Sequence, residues 1–429
     1  MNSELIGRQA VVVGASIGGL LGAAVLARHF ERVVVLDGDC MDGASGKVRK
    51  ATPQANHVHG LLSSGWSAMQ QILPKLENRL RAQGVQWLHF GKELRWHHWG
   101  ANKAAFDEPM YGPFMSRACL ESCLRAEVGE LSNVCLREDC AVESLTGGAK
   151  RVEGVITKAG ETMVADLLLD ASGRRGMLLG SLEALGVERP RKETLNAGVR
   201  YCSCRFRPDP REPVDWKALF IVPKPPAKRS GAIFPMENGD WLVTLMSSEG
   251  DTMPSTHQEF MTFAESLESN DLFQAIRKIK PISSHSYYRY KESRRLFYEE
   301  RAMPKNLYAI GDAVCSFNPV FGQGMTVCAL EAKMLGDLLG KGQLDAERYF
   351  KSISPLVTQA WEMITVEDMR HEEFAKQRSV KIKCMQALTA RVYEKASTDA
   401  VLNRLLYEVI HFTRPATDLC KPAALLRLL

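Results

Sequence analysis

Apolar positions along this chain follow two rhythms, and the switch between them comes early. Val11-Val12-Val13 is a continuous β-branched run, Gly14-Ala15-Ser16-Ile17-Gly18-Gly19 follows it, and Leu20 to His29 is a stretch of small and apolar residues with no strand-like alternation. A second apolar run, Val33 to Leu36, closes on Asp37. Short β-branched runs bounded by glycine predict buried strands, and the order strand, glycine turn, helix, strand predicts a βαβ unit. Further helices are expected at Ser63 to Gln83 and Ser116 to Leu131. The alternation then becomes strand-like over Gly198 to Arg207, Leu219 to Val222, Gly231 to Met236 and Trp241 to Ser247, with Glu237-Asn238-Gly239-Asp240 as the turn of an antiparallel hairpin. A strand returns at Leu307 to Ile310, and beyond Ala329 the pattern is amphipathic and helical. The apolar tail Ala423 to Leu429 is expected to pack on the body of the protein, with transient membrane contact as the alternative.

The first turn carries chemistry. A glycine turn between a strand and a helix lets backbone N–H groups and the helix N-terminus approach a diphosphate, because residues without a bulky side chain leave it room. The usual fingerprint is G-x-G-x-x-G; this chain has Gly14-x-Ser16-x-x-Gly19, with Ser16 in the middle place and Ile17 opening the helix. Asp37 stands where an acid accepts hydrogen bonds from an adenosine ribose. Ala10 to Ala27 is apolar enough to suggest a membrane span or a signal segment, but its glycines, the missing basic flank and the strand and acid that follow exclude both.

Some three hundred residues later, Tyr308-Ala309-Ile310-Gly311-Asp312-Ala313 ends another strand and leads through Phe317-Asn318-Pro319-Val320-Phe321-Gly322-Gln323-Gly324-Met325 into a helix of small residues, Thr326 to Leu335. A carboxylate at Asp312 can hold a ribityl hydroxyl, and the N–H groups of Gly324 and Met325 can face the N1/O2 edge of a flavin and favour negative charge there. The two segments together read as the halves of one FAD site. The expected fold class is therefore α/β. An FAD-binding Rossmann-like domain of the glutathione-reductase type is built from residues 1–180 and 285–345, an antiparallel β-sheet substrate domain (181–284) is inserted in it, and a helical C-terminal region (346–429) follows.

Composition narrows the classes of function. A chain of 429 residues can bury a large core without staples, and its net charge of +5 is scattered, which gives no footprint for nucleic acid. Eleven cysteines, an odd number with no C-x-x-C pair, suit reduced thiols in a cytoplasmic protein and offer no zinc site. No metal, no nucleic-acid partner and no stable membrane span are expected.

The chain resembles the FAD-dependent monooxygenases of the p-hydroxybenzoate hydroxylase type, and within them the flavin epoxidases of polyether biosynthesis. The resemblance covers nearly the whole chain. It is carried by Arg49-Lys50-Ala51-Thr52-Pro53-Gln54 with His57-Val58-His59, by Ser116-Arg117 with Leu120-Glu121, by Asp170-Ala171-Ser172-Gly173-Arg174 and by Asn196-Ala197-Gly198-Val199. Phe234-Pro235 with Trp241-Leu242 and, most specifically, Gly311-Asp312 through Met325 complete the set. It implies that Arg117 reaches the diphosphate or ribityl chain, that Arg49 lies beside the flavin phosphate or ring, that the backbone of Cys140-Ala141-Val142 flanks adenine, and that Gly322 belongs to the flavin loop. It also implies the reaction: insertion of one oxygen atom from O2, through a flavin C4a-hydroperoxide, into a hydrophobic biosynthetic intermediate by epoxidation or hydroxylation. Many hydroxylases of this type carry Asp-Gly where this chain has Ser172-Gly173, a pair tied to FAD and NAD(P)H handling. Reduction is therefore expected either from NAD(P)H directly or from a separate flavin reductase.

Oxygen transfer to an alkene requires no acid or base side chain, so no catalytic residue is assigned from sequence. Trp96, Trp99, Phe234, Trp241, Phe317 and Phe321 are the candidates for lining an apolar substrate pocket. His57 and His59 are expected to point in opposite directions if their segment is extended. A flavin-dependent reductase or dehydrogenase of prenyl-type substrates shares the same FAD motifs and is the alternative.

Overall fold

A computed structural model describes residues 5–40, 49, 52–175, 177–248 and 250–429. Lys50 and Ala51, part of the motif that begins at Arg49, lie outside the described residues. Strands Gly7–Val13 and Phe30–Leu36 pair in parallel across the helix Ile17–Leu26, as their β-branched runs demand. Val134–Arg137 joins on one side, and Leu167–Asp170 and then Leu307–Ala309 on the other, giving a five-stranded parallel sheet. Its two faces are apolar throughout, because both are covered.

Glycine sets the distances between the layers of this domain. The helix Gly324–Gly340 packs on Ile17–Leu26, and a Cβ at Gly18 would stand 2.7 Å from Cys328 Sγ while one at Gly336 would meet Val25 at 3.1 Å. A Cβ at Gly65 would sit 2.7 Å from the Thr326 Cα, so the helix Ser63–Ile72 lies against the same long helix at backbone distance. Gly14 takes φ +105° and turns its bare Cα toward the Ala171 carbonyl; Gly19 does the same toward the Gly14 carbonyl, where a Cβ would be only 1.7 Å from the oxygen.

The second sheet has seven strands. Its centre is the antiparallel set Val199–Phe206, Trp241–Ser248, Ser230–Pro235 and Ala218–Val222, matching the alternation in the sequence. Cys202, Cys204, Phe206, Trp241, Val243 and Leu245 point to an outer face, where they are packed under the helices His257–Glu265 and Asp271–Ile276. The opposite, inner face carries Tyr201, Ser203, Thr244, Met246, Ala232 and Phe234.

The sheet extends past the expected limits of the substrate domain. Ser286–Tyr290 pairs with Val199–Phe206, and Leu94–His98 pairs in parallel with Ala218–Val222, so residues before 181 and after 284 complete it. Backbone hydrogen bonding decides this, and no local signal in either segment reveals which sheet it will join. In the C-terminal region, the helix Ala346–Asp368 buries Tyr349, Phe350, Ile353, Val357, Ala360 and Ile364 at helical spacing, with the Asp345 carboxylate accepting from the Arg348 N–H at its start. In the apolar tail Ala424 and Leu428 are buried, whereas Leu426 and Leu429 are exposed. Among the described residues no helix is long and apolar enough to cross a membrane.

Gly19→Ala is expected to lower stability by about 1–3 kcal/mol, the cost of overpacking against backbone that cannot yield. Gly180→Ala, on an exposed helical position with nothing within 4 Å of its Cβ, should instead raise it by about 0.5–1 kcal/mol. Urea unfolding of the two variants checks the contrast, and equal midpoints would contradict the role given to Gly19.

Candidate functional site

The glycine turn meets a buried network of charge. Asp37 Oδ2 accepts from the Ala15 N–H at 2.7 Å and from Arg49 Nη1 at 3.1 Å, so the acid that ends the second strand closes back over the turn. Arg49 Nη2 also donates to Glu121 Oε2 at 3.3 Å. Glu121 Oε1 in turn accepts from the Ser16 hydroxyl at 2.7 Å and from Arg117 Nε at 3.0 Å, and Arg117 Nη2 donates to Ser16 Oγ at 3.1 Å. Arg117 and Glu121 are one helical turn apart on Arg117–Gly129, whose first turn is capped by Ser116 accepting from the Cys119 N–H.

Burial alone would raise the Glu121 pKa, but Arg117 and Arg49 outweigh it and hold the carboxyl below its ordinary range. For Arg49, burial pulls downward while Glu121 and Asp37 more than compensate. Arg125 lies on the same helix with Nη1 buried and unpartnered among the described residues, and burial and Arg49 both lower its pKa. Arg49, Arg117 and Arg125 thus lie around an N-terminus whose Ser16 side chain makes no capping bond, with Asp37, Glu121 and Glu138 as their carboxylate neighbours. Those guanidinium groups and free N–H groups suit a diphosphate.

The late motif arrives at the same place. Gly311 takes φ +64°, its N–H donates to Glu331 Oε2 at 2.6 Å, and a Cβ on it would touch Cys328 at 3.1 Å, the thiol that also fills the space above Gly18. Burial raises the Asp312 pKa, against the opposing pull of Arg117, Arg174 and Arg294, so Arg117 acts electrostatically on both halves of the site. Arg294 pins the Asp312 carbonyl at 2.8 Å. The 3-10 turn Pro319–Phe321 ends on Gly322 at φ +66°, beside Gly60, and Gly324 and Met325 begin the long helix with no side-chain cap. Ala141 packs against Gly38, next to Asp37.

His57 and His59 do point apart. His57 Nδ1 is 2.7 Å from Ser203 Oγ on the inner face of the large sheet, and burial takes its pKa down to about 4. His59 lies on the Arg117 side, and burial and then Arg117 take its pKa down to about 3. Between them the Val58 N–H donates to Thr244 Oγ1, which tethers this crossing segment to the sheet.

The six aromatic candidates do not come together. Phe234 lies on the inner face, edge-on to Phe114. Trp241 belongs to the outer face and stacks on Trp216, opposite the face that carries Phe234. Trp96 shares the inner face but is covered at its far end by Tyr407, and Trp99 lies beside Tyr393 beneath Arg370. Phe317 is buried in the main core, with Phe321 packed on its edge. Tyr201 and Tyr288 take the central places instead, their rings 5.5 and 5.9 Å from that of His57. The sequence reading named Glu121 without giving it a role, and it missed Arg125 and Glu331. The i,i+4 spacing of Arg117 and Glu121 was a usable signal for the first; Glu331 had none.

No protein-family model matches the chain. It is 30% identical over 361 residues to Protein Rv3254 of Mycobacterium tuberculosis, covering 79% of this chain and 75% of that protein. Its fold is similar to that of a flavoprotein/dehydrogenase from Cytophaga hutchinsonii (TM-score 0.69, 13% identity, 97% of this chain and 96% of the other). It is also similar to p-nitrophenol 4-monooxygenase of Pseudomonas putida DLL-E4 (TM-score 0.66, 17% identity, 95% and 99%).

Burial raises the Glu331 pKa to about 8, and its Oε1 has no partner among the described residues. The folded protein then holds a proton that the unfolded chain releases near the ordinary carboxyl value, so stability should fall as pH rises from about 4.5 through about 8. Glu331→Gln, which keeps the acceptor for Gly311, should match the parent at pH 5 and exceed it at pH 8.5. Thermal unfolding across that range checks the sign; a constant difference would contradict it.

Proposed function

This chain belongs to one family with Protein Rv3254 and shares the fold of the FAD-dependent monooxygenases of the p-hydroxybenzoate hydroxylase type; on that premise we propose that it is itself an FAD-dependent monooxygenase. Its reaction is the insertion of one oxygen atom from O2 into a hydrophobic biosynthetic intermediate, by epoxidation or hydroxylation. The observation that carries the reading is Arg117, which is hydrogen-bonded to Ser16 in the first motif and acts on the Asp312 carboxyl in the second. One elongated dinucleotide satisfies both ends.

In this reading Ser16, Ile17 and Gly19 bind the diphosphate through backbone N–H groups, Gly14, whose own N–H is held by the Leu36 carbonyl, leaves it room, and Arg49 and Arg117 neutralise it. Asp37 accepts from the adenosine ribose, the Ala141 backbone flanks adenine, and Asp312 accepts from the ribityl chain. Gly322, Gly324 and Met325 bring the loop and helix N-terminus to the flavin pyrimidine edge, where N–H groups favour the anionic, reduced form. Reduced FAD, when bound, supplies the activation of O2. The inner sheet face, with Phe234 and Tyr288, holds an apolar substrate and keeps water from the reacting carbon. Reducing electrons come from NAD(P)H or from a partner reductase, and Ser172 in place of the usual acid favours the partner.

Turnover under 18O2 should put one labelled oxygen atom into the product; oxygen-independent turnover would identify a reductase or dehydrogenase instead. Asp312→Ala should lose its flavin on gel filtration while eluting as a folded protein, and full retention of FAD would contradict the role given to that carboxylate.

A further inference from the structure

Four buried polar atoms gather where the inner sheet face meets the 318–323 turn: Asp368 Oδ2, Gln323 Oε1 and His57 Nε2, which have no hydrogen-bond partner among the described residues, and the Tyr201 hydroxyl, which meets the Val320 backbone. Their residues are only 5%, 2%, 3% and 4% exposed. Single orphans of this kind are uncommon in native proteins, because each forfeits its hydration without return.

Contacts tie the group to one locality. Asp368, the last residue of the helix Ala346–Asp368, accepts through Oδ1 from Asn318 Nδ2 at 2.8 Å. Asn318 Oδ1 accepts from the Val320 N–H at 3.1 Å, and Val320 packs on the cluster that contains Tyr201. The Asp368 charge acts on Tyr201, and the Tyr201 ring lies against His57. Gln323 Nε2 reaches Met363 Sδ on the Asp368 helix at 4.0 Å.

We propose that Asp368, with the Tyr201 hydroxyl and the Gln323 amide beside it, forms the polar end of the substrate site and holds an uncharged oxygen, a hydroxyl or a carbonyl, of an otherwise apolar substrate. This rests on the monooxygenase reading and deepens it by naming the substrate class: a neutral, oxygen-bearing lipophile rather than a carboxylate.

The charges around the group set that preference. Burial raises the Asp368 pKa to about 8, with Glu367 on its own helix adding to the rise, so the carboxyl carries a proton at neutral pH and can donate it in a hydrogen bond. The C-terminal end of a helix further disfavours the ionised form. His57 is neutral, Tyr201 and Tyr288 are held protonated by burial, and Asn318 and Gln323 are uncharged. Arg174 comes to this face over Tyr290 and in a side-chain hydrogen bond with Tyr288, on the side away from Asp368, and Arg370 lies over Trp99. A substrate carboxylate placed against Asp368 would lose its hydration to uncharged partners.

The test is calorimetric titration of the FAD-loaded protein with three probes of one skeleton: naphthalene, 2-acetylnaphthalene and 2-naphthoate. The parent should bind 2-acetylnaphthalene about tenfold more tightly than either of the others, the scale of one net hydrogen bond. Asp368→Leu should erase the advantage over naphthalene, and Asp368→Asn, which can still donate, should keep most of it. A preference for naphthoate, no binding of any probe, or an undiminished ketone preference in Asp368→Leu would overturn the assignment. Heat of binding is read without the flavin, whose content is measured separately by absorbance. A protein that discriminates among the probes but takes up no flavin would defeat the monooxygenase reading and leave Asp368 in place.

Discussion

Everything in this protein turns on how closely two helices approach. Ile17–Leu26 and Gly324–Gly340 touch at Gly18, with the Cys328 thiol filling the gap and Gly311 lying against the other side of the same sulfur. Any larger residue at Gly18 would push the long helix outward, and with it the turns proposed to bracket FAD. The strand Leu307–Ala309 supplies the second restraint, since its parallel pairing with Leu167–Asp170 fixes the level at which Gly311 and Asp312 emerge. Residues three hundred positions apart are thereby placed as neighbours by backbone contact, which leaves their side chains free for chemistry.

Charge follows from that geometry. Once Gly14 and Gly19 have removed side chains from the turn, the cations beside it can converge on one region, and Glu121 keeps Arg49 and Arg117 oriented in the interior. A buried ion pair contributes little net stability against its desolvation, so a network of this kind is better understood as a device for orientation than as a source of folding energy. The hydroxyl of Ser16 fits the same logic. Where the common fingerprint has glycine, this chain has a side chain that binds both Glu121 and Arg117, linking the turn to the helix that carries its principal cation.

The parts of the fold that were legible in the sequence are those set by local chemistry. The β-branched runs at Val11 and Val33, the glycines between them, the Glu237–Asp240 hairpin and the Gly311-Asp312 turn each announce their own conformation. What escaped depended on tertiary pairing. Nothing local in Ser286–Tyr290 or Leu94–His98 discloses that they join the large sheet, and the aromatic character of Trp241 says nothing about which face it will occupy once register with Phe206 is set. Asp368 is the extreme case: an acid at the end of an amphipathic helix looks solvent-exposed in sequence and becomes a buried neighbour of Asn318 only through the docking of that helix.

The claim at the centre of this account is that one FAD molecule is held at once by the opening turn and by the distant aspartate turn with the helix that follows it. Amide hydrogen exchange followed by mass spectrometry, with and without added FAD, tests it most directly. Protection should appear together in peptides covering Gly14 to Gly19 and Gly311 to Met325, with the same dependence on FAD concentration. Protection of only one segment, or of neither at saturating FAD, would contradict it.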